Sequence, residues 1–362
     1  MENNKKKHGQ FFTVQNPFTL TPFKEWFSLL PEQPKLLEPF AGSNNLVKMI
    51  NETFGIYNWK SFDIEPPTNN VVPEVSVIQR DTLKKMPRGF DAIITNPPYL
   101  ARNSATRAGI AFDEDNHYDD LYKYCLDKML QDYDFVAAII PESFITSGEF
   151  REKLFSIISL TKNMFNETDC PVCIAMFVPP KVKQKTLNSK DFVIYRLEEK
   201  IGNFSQIESY FLKLKDKVLV KRRCYFNDKD GKIGLRGVDN TIKNSIEFVD
   251  GNSISPELIK KTSRAITRIS VEGVSDPILI KKIIDRSNSI LEEYRKNTDD
   301  IFMTSFKGLR KDGLYRRRLD FKTAEEILNI ALSEIIDESY EKFLPVENKN
   351  TLFEWRCSLS AR

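Results

Sequence analysis

Short apolar runs alternate with helical stretches along the first 180 residues of the chain. The runs are rich in β-branched or aromatic side chains and are flanked by Pro, Gly, Asn or Asp, as strands usually are. We predict six strands, over residues 35–39, 59–64, 75–79, 91–95, 135–140 and 173–178, and helices over residues 44–54, 120–132 and 148–160. Such alternation predicts an α/β fold with a largely parallel sheet, covered on both faces, that binds ligands at the carboxyl ends of its strands.

The pattern changes around residues 179–190, where two prolines and a polar, basic run are typical of a linker or a long surface loop. Beyond this point short β-like runs mix with helical stretches, which favours an α+β domain. Residues 323–343 form an amphipathic helix pattern, with Thr323 placed to cap it and Glu326 three positions later. We therefore predict two domains, over residues 1–183 and 184–362.

The charge balance differs between the two halves of the chain. The whole chain carries 54 basic and 51 acidic residues, a net charge of +3, but residues 1–189 carry 21 and 23, or −2, and residues 190–362 carry 33 and 28, or +5. Two windows, residues 213–236 and 307–322, concentrate the excess beside aromatic residues. Such windows suit a nucleic-acid backbone, although a solvated surface is the alternative. The candidate DNA contacts are Lys221, Arg222, Arg223, Arg310, Lys311, Tyr315, Arg316, Arg317 and Arg318.

Histidine and cysteine usage restricts the chemistry that the chain can perform. His8 and His117 are the only two histidines, so a His-rich zinc site is excluded. Cys170 and Cys173 have the spacing of a redox pair or half a zinc site, but no second pair follows and two ordinary thiols are favoured. We predict no metal site. Because no secretory signal and no long apolar run is present, we expect a cytoplasmic protein without a membrane segment.

The most informative segment is Asp91–Tyr99, an apolar strand that ends in Asn96-Pro97-Pro98-Tyr99. The two prolines fix φ and remove two backbone donors, so the chain forms a rigid turn at the carboxyl end of the strand. The Asn96 side-chain oxygen and the Pro97 carbonyl can then each accept one N–H bond from a planar amino group, while Tyr99 stacks on the attached ring. The alternative is a plain strand-terminating turn.

This motif resembles the catalytic motif of amino-group methyltransferases that use S-adenosylmethionine. Leu36–Asn44, LLEPFAGSN, is similar to the cofactor motif of the same family, a strand followed by an acidic-Pro-Phe turn and a Gly-containing loop. The resemblance places Glu38 beside the cofactor's ammonium group, and it brings Pro39, Phe40, Ala41 and Gly42, together with Asn96, to the cofactor. The chain departs from the usual G-x-G by having Asn44 after Gly42, and Asn tolerates left-handed backbone geometry well.

Further acidic residues follow the next two predicted strands. Asp63 lies about 20 residues beyond the glycine loop, where an acidic side chain accepts the ribose hydroxyls, and Ile64 would pack on the adenine ring. Asp81, followed by Thr82, resembles the residue that accepts from the cofactor's adenine amino group. For each carboxylate alone a solvated loop position is the better interpretation, but their succession at strand ends favours the cofactor site. Thr13, in GQFFT, resembles a residue that holds the cofactor's carboxylate.

The order of the motifs resembles that of the gamma class of DNA adenine-N6 methyltransferases, whose target-recognition domain lies at the C-terminal end. The resemblance implies a Rossmann-like methyltransferase mixed sheet with helices on both faces, followed by an α+β target-recognition domain. Phe165 resembles the aromatic residue that packs on the extruded base, although a core phenylalanine is the alternative.

The function that this resemblance implies is site-specific methylation of an adenine that is rotated out of double-stranded DNA. The enzyme would act as a monomer in a restriction–modification system, with a cognate endonuclease acting separately. N4-cytosine methylation remains an alternative, although Ser is commoner than Asn at the first motif position there. Methylation of RNA or of a protein glutamine, and an inactive nucleic-acid-binding protein with this fold, also remain. A dehydrogenase is disfavoured because the loop lacks G-x-G-x-x-G.

Overall fold

The computed structural model describes residues 16–107, 117–160 and 170–343. The chain divides into two compact units, Met1–Phe204 and Ser205–Arg362. The boundary follows Phe204 rather than Lys183, because two strands beyond Lys183 still join the sheet of the first unit. Among the helices of these described ranges, none is both long and apolar enough to span a membrane.

The first unit contains one large sheet and short helices between its strands. The strands are β1 (Lys35–Glu38), β2 (Asn58–Asp63), β3 (Val77–Gln79), β4 (Ala92–Thr95), β5 (Val136–Pro141), β6 (Leu154–Ser159), β7 (Val172–Phe177), β8 (Val193–Arg196) and β9 (Glu199–Asn203). The helices are α1 (Thr21–Phe27), α2 (Asn45–Phe54), α3 (Arg102–Arg107), α4 (Leu121–Asp132) and α5 (Pro180–Lys183), with 3₁₀ turns at Pro17–Thr19 and Glu142–Thr146, and α6 (Phe204–Lys215) begins at the boundary between the units.

The nine strands are ordered β3-β2-β1-β4-β5-β7-β6-β8-β9. The strands from β3 to β5 pair in parallel, whereas β7 runs antiparallel to both β5 and β6. This mixed α/β sheet confirms the predicted fold class. Because β1, β2, β3 and β4 are parallel, their carboxyl ends meet at one edge of the sheet, which is where the predicted site residues lie.

The buried strands explain why the apolar runs are continuous rather than alternating. Leu36 and Leu37 on β1 and Ile93 and Ile94 on β4 are all 0% exposed, although adjacent side chains on a strand point to opposite faces. Both faces of the sheet are therefore covered, as continuous apolar strands require. All six predicted strands are present, with bounds shifted by a few residues at most.

The predicted helix over residues 148–160 is wrong, because residues 154–159 form β6. Gly148 and Phe150 have φ of 80° and 53°, in the left-handed region that a right-handed helix cannot contain. The following sequence, LFSIIS, is rich in β-branched and aromatic residues, which fit between two strands. β6 pairs antiparallel with β7 and parallel with β8.

The second unit is an α+β domain, as predicted, with two small sheets and two long helices. The strands β10 (Cys224–Phe226), β11 (Ile233–Arg236), β12 (Glu247–Asp250) and β13 (Ile266–Val271) form an antiparallel sheet, and β14 (Thr304–Leu309) and β15 (Tyr315–Arg318) form a hairpin. The helices are α7 (Pro277–Thr298) and α8 (Phe321–Phe343), with 3₁₀ turns at Gly251–Ser253 and Pro256–Leu258. Their apolar residues form one buried cluster with those of the four-stranded sheet.

The predicted C-terminal helix exists as α8, but its cap differs from the prediction. The helix begins at Phe321, and the Asp320 carboxylate accepts from the backbone N–H of Thr323 at 3.0 Å and from its hydroxyl at 2.9 Å. Thr323 is therefore the capped residue rather than the cap. An Asp at this position satisfies an N–H group that has no partner within the helix.

A buried carboxylate holds several segments of the second unit together. Asp239 is 0% exposed, and its carboxylate accepts from both terminal nitrogens of Arg295 at 2.9 Å each and from Arg310 at 3.4 Å. It also accepts from the backbone N–H groups of Ser245 at 2.8 Å and Arg317 at 3.2 Å. Burial raises the pKa of Asp239, but the hydrogen bonds and charge of Arg295 and the backbone bonds from Ser245 and Arg317 together outweigh burial, so the net pKa lies below its ordinary value. Asp239 therefore ties the β14–β15 hairpin to α7 and to the loop before β12.

We expect Asp239→Asn to lower the free energy of unfolding by about 3 kcal/mol or more, because two buried guanidinium groups lose a shared counter-charge. Asp312→Asn is the matched control, since Asp312 pairs with the same Arg310 from a side chain that is 47% exposed, and it should cost at most about 1 kcal/mol. Urea denaturation followed by circular dichroism measures both. Equal costs for the two variants would contradict the role given to Asp239.

Candidate active site

Glu38 lies at the carboxyl end of β1, where it links the predicted cofactor loop to the strand of the predicted catalytic turn. It is 1% exposed, and its Oε1 accepts from the Phe40 backbone N–H at 3.0 Å and from the Thr95 hydroxyl of β4 at 2.5 Å. Burial raises the pKa of Glu38 to about 8, although both bonds oppose the rise. Thr95 was not predicted as a site residue from the sequence, although a residue with a hydroxyl group at the end of an apolar strand is a recognisable pattern.

The loop after β1 adopts the left-handed geometry that its sequence predicts. Gly42 and Asn44 have φ of 47° and 62°, so the prediction that Asn44 adopts this backbone conformation is confirmed. Asn44 is fully buried, and its Nδ2 donates to Asn70 Oδ1 at 3.0 Å and to the Val75 carbonyl at 2.7 Å. Its Oδ1 is buried and has no hydrogen-bond partner within the part of the chain that the structure describes. The loop is thus fixed to the segment that precedes β3.

Asp63, the last residue of β2, holds the same loop from the neighbouring strand. It is 6% exposed, and its two carboxylate oxygens accept from the backbone N–H groups of Gly42 at 2.8 Å and Glu65 at 2.9 Å. Burial raises the pKa of Asp63 despite these bonds. The next side chain, Ile64, is 55% exposed, which leaves an apolar surface beside the buried carboxylate.

Asp81 and Thr82 follow β3 and complete the row of polar residues at this edge. Thr82 is 2% exposed and its hydroxyl donates to the Pro39 carbonyl at 3.1 Å, which brings the segment after β3 to the loop after β1. Asp81 is half-buried, accepts from the Leu83 backbone N–H at 3.2 Å and pairs with Lys84 at 3.5 Å. The structure thus brings the predicted residues of β1, β2 and β3 to one edge.

The Asn96-Pro97-Pro98-Tyr99 turn directly follows β4, between the loops of β1 and β5. Asn96 is half-buried, and its Oδ1 accepts from the Tyr99 hydroxyl at 2.5 Å. The same hydroxyl lies 2.7 Å from the Ile139 carbonyl of β5. Tyr99 is 9% exposed, and burial raises the pKa of its phenol well above the ordinary value, so the phenol keeps its proton and acts as a donor. The turn is therefore packed against β5 and fixed by a side-chain bond of its own.

A second segment, residues 118–122, supports the turn, and its contact with the turn was not predicted from the sequence. Asp120 precedes α4, and its Oδ1 accepts from the backbone N–H groups of Leu100 at 3.1 Å and Tyr122 at 3.4 Å. The ring of Tyr122 meets that of Tyr99 edge to face, with centroids 6.2 Å apart and an interplanar angle of 85°. An acidic residue immediately before a helix is an N-cap signal, but its second contact is visible only in the fold.

Thr13 and Phe165 lie outside the described residues, so their proposed roles stay predictions. Of the two cysteines with redox-pair spacing, Cys173 is buried in β7 and is a free thiol, and Cys170 is half-buried just before it. Burial raises the pKa of Cys173 well above its ordinary value, which disfavours the reactive thiolate. Within the described ranges, no group of three or more His, Cys, Asp or Glu residues is arranged to hold a metal ion.

The predicted DNA contacts of the second unit divide into an exposed and a buried set. Lys221, Arg222, Arg223 and Lys311 are exposed, and the Arg223 guanidinium lies over the Tyr225 ring at 5.2 Å. These four side chains are available to a phosphate backbone.

The other set is engaged inside the unit. Arg310, Tyr315 and Arg317 are 6%, 2% and 6% exposed, and we revise their predicted role from DNA contact to structural support. Arg316 is half-buried, donates to the Asp239 carbonyl at 2.7 Å and lies over the Phe306 ring at 5.0 Å. Arg318 is half-buried in β15.

The comparison with known families agrees with this geometry. Residues 35–169, which contain β1 to β6 and the Asn96–Tyr99 turn, match the family model described as Eco57I restriction-modification methylase. The chain is also 26% identical over 190 residues to the modification methylase CviBIII of Paramecium bursaria Chlorella virus NC1A, which covers 48% of this chain and 50% of that protein. Over residues 35–169 the chain is therefore similar to methylases of restriction–modification systems.

Two weaker likenesses accompany the methyltransferase match. The chain is 26% identical over 108 residues to the bifunctional IPC transferase and DIPP synthase of Thermococcus kodakarensis, a match to 29% of this chain and 25% of that protein. The type I restriction-modification system methyltransferase subunit of Streptococcus thermophilus has a TM-score of 0.35 at 15% identity, covering 58% of this chain and 54% of that one, which is too low to support an argument. The chain thus spans half or less of the length of the two named relatives.

The raised pKa of Glu38 gives the stability of the first unit a specific pH dependence. Because its folded pKa of about 8 lies above the ordinary 4.5, the folded state holds a proton that the unfolded state releases. The free energy of unfolding should therefore fall as pH rises from about 5 to about 8, by up to roughly 1.4 kcal/mol per pH unit from this group. Glu38→Gln removes that contribution.

Urea denaturation of wild type and Glu38→Gln at pH 5, 6.5, 8 and 9 measures the difference. We expect the variant to gain stability relative to wild type as pH rises to 8 and to show no further gain above it. Glu52→Gln, in an exposed i,i+4 pair with Lys48 on α2, is the control and should leave the pH slope unaltered. A parallel pH dependence of Glu38→Gln and wild type would show that Glu38 is ionised in the folded protein.

Proposed function

We propose that the protein is a site-specific DNA methyltransferase that transfers a methyl group from S-adenosylmethionine to the N6 amino group of an extruded adenine. One observation carries this proposal. The Asn96–Tyr99 turn lies at the carboxyl end of β4, joined by the Glu38–Thr95 hydrogen bond to the glycine-containing loop after β1, inside a domain that matches restriction-modification methylases.

The residues at the strand ends fit S-adenosylmethionine in charge and polarity. Glu38 is buried, and among the described residues no basic side chain pairs with it, so an ammonium group would complete its surroundings. Each Asp63 oxygen already accepts one backbone bond and retains a lone pair for a ribose hydroxyl. The exposed Ile64 offers an apolar surface to a purine ring. Asp81 is available to the purine amino group, and Thr13 remains a candidate for the cofactor's carboxylate.

The catalytic turn is suited to orienting an amine rather than to titrating it. The bound cofactor supplies a methyl group that is already activated by its sulfonium. The Asn96 amide oxygen and the Pro97 carbonyl would each accept one N–H bond of the adenine amine and so orient its nitrogen lone pair for attack. As the new N–C bond forms and the S–C bond of the cofactor breaks, the amine would lose one proton to solvent. Tyr99, and Phe165 from the opposite side, would stack on the base. Asn rather than Ser at the first motif position supports adenine over N4-cytosine methylation.

The second unit is the proposed target-recognition domain for double-stranded DNA. Its exposed Lys221, Arg222, Arg223 and Lys311 are candidates for phosphate contacts, which position a protein on DNA without reading its sequence. By analogy with the match to restriction-modification methylases, a cognate endonuclease would cleave the unmodified site independently. Such an enzyme would act on cellular DNA in the cytoplasm, as a monomer.

Asn96→Ala tests the chemistry directly. We expect methyl transfer to fall about 100-fold or more, because the amine loses one of its two acceptors, while the calorimetric Kd for S-adenosylmethionine changes by no more than a few-fold. The control is Asn58→Ala, an exposed asparagine at the amino end of β2, and it should retain wild-type turnover. Transfer of labelled methyl groups to plasmid DNA from a methylation-deficient host measures the rates. Near-normal turnover in Asn96→Ala would contradict the proposed mechanism.

A further inference from the structure

The Asn96–Tyr99 turn contains two consecutive prolines and ends just before Leu100. Pro97 and Pro98 have no N–H group, so they cannot donate to a neighbouring strand. The N–H of Leu100, the residue after Tyr99, donates to the Asp120 carboxylate at 3.1 Å, across a sequence separation of 20 residues. The end of the turn therefore depends on a side chain from a distant segment.

Asp120 joins this end of the turn to the first turn of α4. It is the N-cap of that helix, with φ −140° and ψ 147°, and it accepts from the Tyr122 N–H. Backbone bonds run alongside: Leu121 N–H donates to the Leu100 carbonyl at 3.1 Å, and Arg102 N–H donates to the Asp119 carbonyl at 2.8 Å. Residues 101 and 120 also form an antiparallel bridge. The segment after Tyr99 is thus attached along its length to the start of α4.

Tyr122, through its ring, connects the start of α4 to the ring of Tyr99. Its side chain is 2% exposed and packs edge to face on Tyr99. The other end of the Tyr99 ring is held through its hydroxyl, which contacts Asn96 and the Ile139 carbonyl. The plane of the Tyr99 ring is therefore set by two supports, and Asp120 fixes the one that comes from α4.

We propose that Asp120 is a positioning residue for methyl transfer: by binding the N–H groups of Leu100 and Tyr122, it orients the Tyr99 ring against which the target adenine stacks. This inference rests on the proposed function. The described contacts of the Asp120 carboxylate are with the backbone of Leu100 and Tyr122, so it would act on the reaction through Tyr99. Without this carboxylate the Leu100 and Tyr122 N–H groups lose their shared acceptor, which loosens the contact between the turn and the start of α4. A small tilt of Tyr99 then displaces the amine, and errors of about 1 Å in the position of reacting groups cost about 100-fold in rate.

Three substitutions separate this role from simple helix capping. Asp120→Ala removes both bonds. Asp120→Ser keeps an N-cap of comparable quality, but its shorter side chain does not reach Leu100 as well. Asp120→Asn keeps an acceptor oxygen at the same position. The matched control is Asp276→Ala, because Asp276 caps α7 through the N–H groups of Ile278 and Leu279.

The measurements are kcat and KM for methyl transfer to plasmid DNA from a methylation-deficient host, the calorimetric Kd for S-adenosylmethionine, and hydrogen exchange at the amide of Leu100. We expect kcat to fall tenfold or more, on the order of the cost of misplacing reacting groups, in Asp120→Ala and Asp120→Ser, with faster exchange at Leu100 and an unchanged cofactor Kd. Asp120→Asn should stay within about threefold of wild type, since it keeps the acceptor oxygen. Asp276→Ala should leave kcat unchanged, although it removes a cap of the same kind.

The results that overturn the inference are distinct from those that overturn the proposed function. An active wild type whose Asp120→Ser variant has normal kcat, or whose Asp120→Ala loss is matched by Asp276→Ala, contradicts a positioning role for Asp120 alone. A loss confined to cofactor Kd contradicts it as well. If Asp120→Ala does not fold, the contrast between Asp120→Ser and Asp120→Asn decides. A folded wild type that binds S-adenosylmethionine but methylates no DNA overturns the proposed function, and this inference with it.

Discussion

The hydrogen bond from the Thr95 hydroxyl to the buried Glu38 carboxyl, 2.5 Å long, is the contact on which the rest of the candidate site depends. It joins the ends of two adjacent parallel strands, β1 and β4, whose following loops carry the proposed cofactor and catalytic residues. Parallel strands bring their carboxyl ends to one edge, but direction alone does not fix the distance between two loops. A polar bond between buried groups does, because breaking it leaves the buried Thr95 hydroxyl away from water and removes one of the bonds to Glu38.

The same constraint explains why polar residues tolerate burial at this edge. Glu38, Asp63 and Thr82 are each less than 10% exposed, and each binds a backbone or side-chain group from a neighbouring segment. Their bonds stabilise loops that contain left-handed residues and few regular hydrogen bonds. The cost is desolvation, which appears as the raised pKa of both carboxyl groups. A cationic ligand beside Glu38 would offset part of that cost.

Local patterns in the sequence predicted the strands and the polar residues that follow them. Apolar runs located the strands, and the succession of Glu38, Asp63 and Asn96 at strand ends placed the candidate site at the edge where β1, β2 and β4 end. The strand Leu154–Ser159 was mistaken for a helix, because its alternation is short and the left-handed φ of Phe150 is not readable from composition. The second contact of Asp120 depends on a pairing across 20 residues, which no local pattern encodes.

The charge pattern was the least informative feature of the sequence, because a run of arginines does not show which of their side chains are exposed. In the window of residues 307–322, the side chain of Arg310 and the backbone N–H of Arg317 both bind the buried Asp239 carboxylate. A count of charges cannot predict these contacts, because Asp239 lies far from this window in sequence. In the window of residues 213–236, Lys221, Arg222 and Arg223 are exposed. The basic excess of the C-terminal half is therefore in part an internal ionic structure and only in part an exposed basic surface.

The central claim is that the Asn96–Tyr99 turn methylates the amino group of adenine in DNA at a defined sequence. Modification-sensitive sequencing of genomic DNA, from a methylation-deficient host that expresses either wild type or Asn96→Ala, tests this claim most directly. The account predicts N6-methyladenine at one short sequence motif in cells with wild type and its loss in cells with Asn96→Ala. N4-methylcytosine at the motif, or the absence of any new modification in cells with folded wild-type protein, would contradict it.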